Sequence, residues 1–135
     1  MRPDEFRAAL EAALAAADTD ERIGPALRAA SLRVRMRFPD AGLVLDLGVA
    51  DPDEGHLRWS FGGDPEWRPM LELEMDAALG NRYLQGAESL AIAIARGKAR
   101  LRGESRAALK YVPAARLLSE PYRRVIRERF PALAV

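Results

Sequence analysis

The sequence predicts an α+β fold in which helices pack on one face of a five-stranded, mostly antiparallel sheet. Helical periodicity fills the first thirty residues and most of the chain after residue 76. Between these parts, and once more after residue 97, apolar and polar residues alternate as they do in strands. The polar side of each alternating segment carries charges, so one sheet face meets water and the helices cover the other.

Length and composition are those of a small globular protein. The chain has 135 residues, of which 49% are hydrophobic and 30% charged, so we expect one domain spanning residues 1–135. This composition argues against a disordered or membrane-embedded chain. Cysteine is absent, which excludes disulfides, thiolate nucleophiles and thiolate metal sites.

The charge balance and the first residues of the chain bear on its binding partners and its location in the cell. The 21 cationic and 20 acidic side chains nearly cancel, so a solvated surface is favoured over a nucleic-acid interface. Met1 begins no charged-then-apolar leader, and the expected location is therefore cytoplasmic.

The first thirty residues predict two helices. Pro3 suits a first turn, and the apolar stripe that follows has helical spacing; it consists of Phe6, Leu10, Ala13, Leu14 and Ala17. Asp18 and Glu21 resemble a capping box for the second helix, which Gly24-Pro25 is expected to break in two.

Five segments then predict strands, because their apolar residues recur at every second position. These inward-facing sets are Leu32, Val34, Met36 and Phe38; Leu43, Leu45, Leu47 and Val49; Leu57, Trp59 and Phe61; Leu71, Leu73 and Met75; and Ala99 and Leu101. The opposite face predicts a solvated lattice of cross-strand ion pairs, formed by Arg33, Arg35, Arg37, Arg58, Arg100 and Arg102 with Asp46, Glu72 and Glu74.

The rest of the chain predicts helices. Asp76 is expected to cap a helix over residues 77–85, and a second, very apolar helix covers 87–96; Gly86 and Gly97 end them. The alanines of the second helix allow a close approach that could leave a void. Beyond Ser105, Pro113 and Pro121 predict a jointed helical stretch that could open as a lid.

Candidate catalytic groups are few. His56 is the only histidine, so a histidine metal cluster is excluded and a Ser-His-Asp triad would depend on that residue. Asp51, Asp53 and Glu54 crowd one loop, where a solvated turn is favoured over a calcium site. No cofactor motif is present, and no cofactor is expected.

The segment from Leu71 to Arg124 carries a family resemblance. Its order is an alternating strand, a helix closed by Gly86, an apolar helix closed by Gly97, the basic strand GKARLRGE, and amphipathic helix. This order resembles the C-terminal half of the sterol carrier protein 2 (SCP2) family, most of all at RGKARLRGE, and suggests a bacterial stand-alone member. The resemblance implies an SCP2-like α+β fold enclosing an apolar tunnel, with the C-terminal segment near its mouth.

On that basis fifteen apolar or aromatic residues are candidates to line the cavity, although for each of them core packing is slightly favoured over ligand contact. They are Met36, Trp59, Phe61, Leu73, Met75, Leu79, Tyr83, Leu84, Leu90, Ile94, Leu101, Leu109, Leu117, Leu118 and Tyr122. A ligand head group is expected to meet Arg82, Lys98 or Lys110 near the mouth.

The expected function is non-catalytic binding or carriage of a fatty acid, acyl chain or sterol-like lipid. At most transient membrane contact is expected, and no nucleic-acid partner. Two alternatives remain open at this point. The chain could be an accessory interaction module for a lipid-metabolising enzyme, or a small lipid-acting enzyme using His56, Asp51 or Glu54.

Overall fold

The computed structural model describes residues 1–135, which form five helices and five strands. The helices are α1 (Pro3–Thr19), α2 (Ile23–Ala30), α3 (Ala77–Leu84), α4 (Leu90–Ala95) and α5 (Ser105–Arg129). The strands are β1 (Val34–Phe38), β2 (Leu43–Val49), β3 (Leu57–Phe61), β4 (Leu71–Met75) and β5 (Ala99–Gly103). Single 3-10 turns cover Pro39–Ala41 and Pro131–Leu133. The predicted order of elements is confirmed.

The strands form one mixed sheet in the order β3-β2-β1-β4-β5. Three neighbouring pairs are antiparallel, while β1 and β4 run parallel. The predicted α+β class with a mostly antiparallel sheet is therefore confirmed. The parallel pair places β4 beside β1, and β5 follows as the edge strand.

Helix α1 and the sheet enclose the core. The predicted stripe on α1 is buried, and the ring of Phe6 meets that of Phe38 edge to face at a centroid distance of 5.0 Å. Gly80 on α3 also approaches Phe38, where an added Cβ would lie 2.5 Å from the ring carbon Cε1. This position needs glycine because a side chain there would collide with the core.

The start of α2 corrects two predictions. Asp20, rather than Asp18, accepts hydrogen bonds at Oδ1 from the backbone N–H groups of Arg22 (2.8 Å) and Ile23 (2.9 Å). Gly24-Pro25 lies in the first turn of α2 and does not break it, because proline's missing N–H would be unpaired there in any helix.

Asp18 has a different role in the structure. It lies within α1, and its Oδ1 accepts hydrogen bonds from the backbone N–H groups of His56 (2.7 Å) and Leu57 (2.8 Å). The carboxylate therefore ties the start of β3 to α1, a contact between residues about forty positions apart that local spacing does not reveal.

The prediction of a jointed C-terminal stretch was wrong. Helix α5 runs without interruption from Ser105 to Arg129, with Pro113 and Pro121 inside it. An interior proline costs about 3 kcal/mol or more through its lost hydrogen bond and its ring. The buried face of α5 offsets this cost, since tertiary packing outweighs helix propensity; it consists of Ala107, Tyr111, Ala114, Ala115, Leu118, Pro121, Tyr122, Val125 and Ile126.

The outer sheet face differs from the predicted solvated lattice at its centre. The cross-strand registers of Arg35 with Asp46 and of Arg35 with Glu72 occur as expected. Arg35 and Asp46 are buried, however, because the loop between β3 and β4 folds over them. Trp67 in this loop lies over the Arg35 guanidinium, 5.7 Å from ring centre to Cζ. The alternating pattern of the strands predicted that this sheet face is exposed to water. The loop that covers it has no periodic pattern, so the sequence did not indicate the cover.

Candidate functional site

An open groove of about 420 Å³ lies between α3 and α4 on one side and α5 on the other, with β5 at its base. Eight of its thirteen lining residues are hydrophobic. The lining consists of Tyr83, Leu84, Gly86, Glu88, Ser89, Leu90, Ala91, Ile94, Leu101, Val112, Ala115, Arg116 and Ser119. Its size is within the roughly 300–1,000 Å³ typical of small-molecule sites.

Two smaller apolar voids continue inward beneath α5. One of about 40 Å³ lies towards α2 and is lined by Leu27, Ala30, Leu32, Val34, Met36, Leu47, Gly48, Val49, Leu57, Tyr111, Ala114, Ala115 and Leu118. The other, about 20 Å³, lies towards α1 and is lined by Leu10, Ala13, Leu14, Met36, Leu45, Leu47, Leu84, Leu118 and Tyr122. Ala115 borders both the groove and the first void, and Leu84 borders both the groove and the second, so each void lies next to the groove.

Helix α4 is the least anchored wall of the groove. Its six residues are capped by Ser89, whose Oγ accepts a hydrogen bond from Ile92 N–H at 3.3 Å, and only Ala93 is buried. Ile92 and Ile94 are 50% and 39% exposed. Gly86 and Gly97 border this wall in the left-handed region, where glycine is favoured because it has no Cβ.

A pair of tyrosine hydroxyls lies where the groove meets the core. The hydroxyl oxygens of Tyr83 on α3 and Tyr111 on α5 are 3.1 Å apart and hydrogen-bonded. Burial raises the pKa of Tyr83, and it raises that of Tyr111 well above its usual range because the ionised form would lie in apolar surroundings. Both hydroxyls therefore keep their protons at neutral pH.

A buried polar cluster fixes the C-terminal part of α3. Asn81 Oδ1 accepts hydrogen bonds from Tyr122 Oη (2.6 Å) and Gln85 Nε2 (2.9 Å). Both amide side chains also donate to the carbonyl oxygen of Leu133. This cluster joins α3 to α5 and to the C-terminal turn, so the α3 wall of the groove is held rigidly while α4 is not.

The charged side chains of the groove differ from those expected. Arg116 lines the groove and has no salt-bridge partner. Arg82 is engaged with Glu88, with Nε 3.1 Å from Oε1, and Lys98 and Lys110 are not among the lining residues. Sequence reasoning missed Arg116, although its spacing of four residues from Val112 would have placed both on one helical face.

Eight of the fifteen expected wall residues border the groove or the two voids: Met36, Tyr83, Leu84, Leu90, Ile94, Leu101, Leu118 and Tyr122. Six others pack in or against the core away from them: Trp59, Phe61, Leu73, Met75, Leu79 and Leu117. Leu109 is 78% exposed and borders none of these spaces, so it is left out of the candidate site. Its position on the solvent face of α5 follows from the unbroken helix.

The residues considered for catalysis lie elsewhere. His56 borders neither the groove nor the two voids, and its Nδ1 is buried without a hydrogen-bond partner. Asp51, Asp53 and Glu54 are exposed. The structure has no group of three or more acidic, histidine or cysteine side chains able to hold a metal ion. None of its helices combines the length and the apolar character needed to span a membrane.

No protein-family model matches this chain, and no curated protein matches it in sequence. Solved structures do match. The conserved hypothetical protein TT1886 of Thermus thermophilus is 25% identical, with a TM-score of 0.57 over 87% of this chain and 86% of its own. A crystal structure of sterol carrier protein 2 is also 25% identical, with a TM-score of 0.55 over 86% of this chain and 94% of its own. The chain has an SCP2-like fold.

The same SCP2-like fold matches part of a much larger protein. The sec-alkylsulfatase Pisa1 from Pseudomonas sp. is 15% identical over 65% of this chain, with a TM-score of 0.53. The match covers only 13% of that enzyme's length. This likeness therefore concerns the fold alone.

Proposed function

We propose that the protein binds the apolar chain of a lipid in the groove between α3–α4 and α5 and carries it without catalysis. The observation that supports this most is the groove itself, about 420 Å³ with a mainly hydrophobic lining, in a chain with an SCP2-like fold. Exposed apolar surface of this kind, rimmed by polar residues, is typical of a ligand-binding groove.

The expected affinity suits a carrier that must release its ligand. Burying about ten methylenes at ~0.8 kcal/mol each gives roughly 8 kcal/mol, part of which is lost to association and ordering. The result is a dissociation constant of about micromolar or somewhat below. Movement of α4, whose only buried residue is Ala93, would open the wall through which the chain enters.

Arg116 is the proposed partner for a negatively charged head group. It borders the groove, is exposed, and has no competing carboxylate in a salt bridge. A guanidinium can bind both oxygens of a carboxylate or phosphate. The head group would thus stay at the solvent-facing rim, while the chain extends past Tyr83 and Leu84 towards the core.

Native mass spectrometry and calorimetric titration with palmitate test this proposal. Ala91→Trp places a large side chain in the groove from an exposed position on α4 and should weaken palmitate binding by about tenfold or more. Ala95→Trp is the matched control, because Ala95 is exposed on the same helix but does not line the groove. We expect the control to bind as the parent does.

Equal binding by the parent and both variants would place the ligand elsewhere. No binding of any long-chain lipid by the parent would instead favour an accessory interaction module. Turnover of a lipid that is lost in His56→Ala would favour the enzymatic alternative, against which the position of His56 outside the groove already argues.

A further inference from the structure

The Tyr83–Tyr111 pair lies between the groove and the void towards α2. Tyr83 borders the outer groove and Tyr111 borders the void towards α2, and their hydroxyl oxygens are 3.1 Å apart. Tyr111 is buried, whereas Tyr83 is only half-buried and is open to the groove. A lipid chain that enters the groove and continues inward passes this pair.

The Tyr83–Tyr111 pair has one hydroxyl proton more than its mutual hydrogen bond requires. Two hydroxyls supply two protons, but only one proton can lie between the two oxygens. Neither hydroxyl makes another hydrogen bond within the chain. Because hydroxyl hydrogens rotate, either tyrosine can donate to the other across this distance. When Tyr111 donates to Tyr83, the proton of Tyr83 is free to point into the groove. An unsatisfied donor beside an apolar ligand is costly, whereas one that meets an acceptor is stabilised.

The surroundings determine which acceptor fits. Burial raises the pKa of both hydroxyls, so both stay protonated and the pair remains a donor. A carboxylate at this depth would lose its hydration, and Arg116 offers it a better place at the rim. A ligand hydroxyl would bring a further donor that also needs a partner. A carbonyl oxygen only accepts, and it leaves no proton unpaired.

We propose that the Tyr83–Tyr111 pair selects lipids carrying an uncharged carbonyl oxygen, with apolar chain on both sides of it, over plain hydrocarbon chains. This inference rests on the proposed lipid-binding function and names the ligand class for the same groove. Tyr83 is the residue that donates to the ligand, and Tyr111 orients its hydroxyl.

Matched ligands test the proposal. Heptadecan-9-one and heptadecane have the same chain length and differ only in the central carbonyl. The ratio of their affinities, measured by competition against a fluorescent fatty acid and compared between the parent and Tyr83→Phe, reports the hydrogen bond to that carbonyl. We expect the parent to prefer the ketone by roughly tenfold. Tyr83→Phe keeps the ring and removes the hydroxyl, and it should abolish or reverse this preference, because the ligand carbonyl would then be buried without its donor. Ser60→Ala removes an exposed hydroxyl on β3, outside the groove and the two voids, and should keep the preference.

Infrared spectroscopy gives an independent readout. The carbonyl stretch of bound heptadecan-9-one should lie at lower frequency in the parent than in Tyr83→Phe, because a donated hydrogen bond weakens the C=O bond. A parent that binds ketone and alkane equally overturns this inference while leaving lipid binding intact. A ketone preference unchanged in Tyr83→Phe also overturns it. A parent that binds neither these ligands nor any fatty acid overturns the proposed function as well.

Discussion

Arg35 on β1 and Asp46 on β2 form a buried ion pair in which Arg35 Nε lies 2.6 Å from Asp46 Oδ1. A second bond joins Arg35 Nη2 to Asp46 Oδ2 at 3.1 Å, and Asp64 N–H donates to the same oxygen. The pKa of Arg35 is raised above its ordinary value, chiefly because of its hydrogen bond to Asp46. The pair thus connects two strands to the loop that covers them.

Replacing Asp46 by asparagine should reduce the free energy of unfolding by about 3–5 kcal/mol, because Arg35 would remain buried with its main counter-charge removed. Urea unfolding followed by circular dichroism measures this change. Glu74→Gln is the control: Glu74 points to the same sheet face but is only half-buried and forms no salt bridge. It should change stability by about 0.5 kcal/mol or less. Equal effects of the two variants would show that burial of the pair is unimportant.

Helix α4 should exchange its amide hydrogens faster than α5. Isolated helices of this length are marginal in water, and only Ala93 of α4 is buried. Bound palmitate should therefore slow exchange in residues 90–95 more than in residues 114–126 of α5, as measured by mass spectrometry. Protection confined to α5 would instead identify α5 as the moving wall.

Tyrosine burial predicts a loss of stability at alkaline pH. The folded-state pKa of Tyr111 lies well above 10.0, its ordinary value, because of burial. Its contribution to stability is therefore complete below about pH 10 and is lost as the pH rises towards the folded-state pKa, since only the unfolded chain ionises there. Urea midpoints measured from about pH 9 to 11 should fall more steeply for the parent than for Tyr111→Phe. Parallel curves would contradict the assigned burial.

The lowered pKa of Asp20 predicts a loss of stability at acid pH, opposite in direction to the tyrosine effect. Hydrogen bonds from the backbone N–H groups of Ile23 and Arg22 lower its pKa below the ordinary 3.8. Its stabilising effect is therefore present above pH 3.8 and is lost as the pH falls through the folded-state value. Asp20→Ala should be less stable than the parent near neutral pH, and the difference should shrink in acid. Asp53→Ala, at an exposed loop position, should show no such change.

Local patterns in the sequence determined most of the elements. The inward sets of β2, β3 and β4 coincide with the observed strands, because a period of two is enforced wherever one sheet face is buried. Asp76 was identified as a cap, and its Oδ1 accepts a hydrogen bond from Leu79 N–H at 2.7 Å. Eight of the expected wall residues border the apolar space for the same reason, since the inward face of each element is readable from its own spacing.

Only the tertiary structure decided what those inward faces meet. The sequence by itself determined the α+β class, the apolar side of each strand and the start of α3 at Ala77. It did not determine that a loop buries Arg35, that α5 continues without interruption through Pro113 and Pro121, or that Tyr83 meets Tyr111 across 28 positions. Each of these depends on contacts between residues distant in sequence, whose energies outweigh local propensity and leave no periodic signal in the chain.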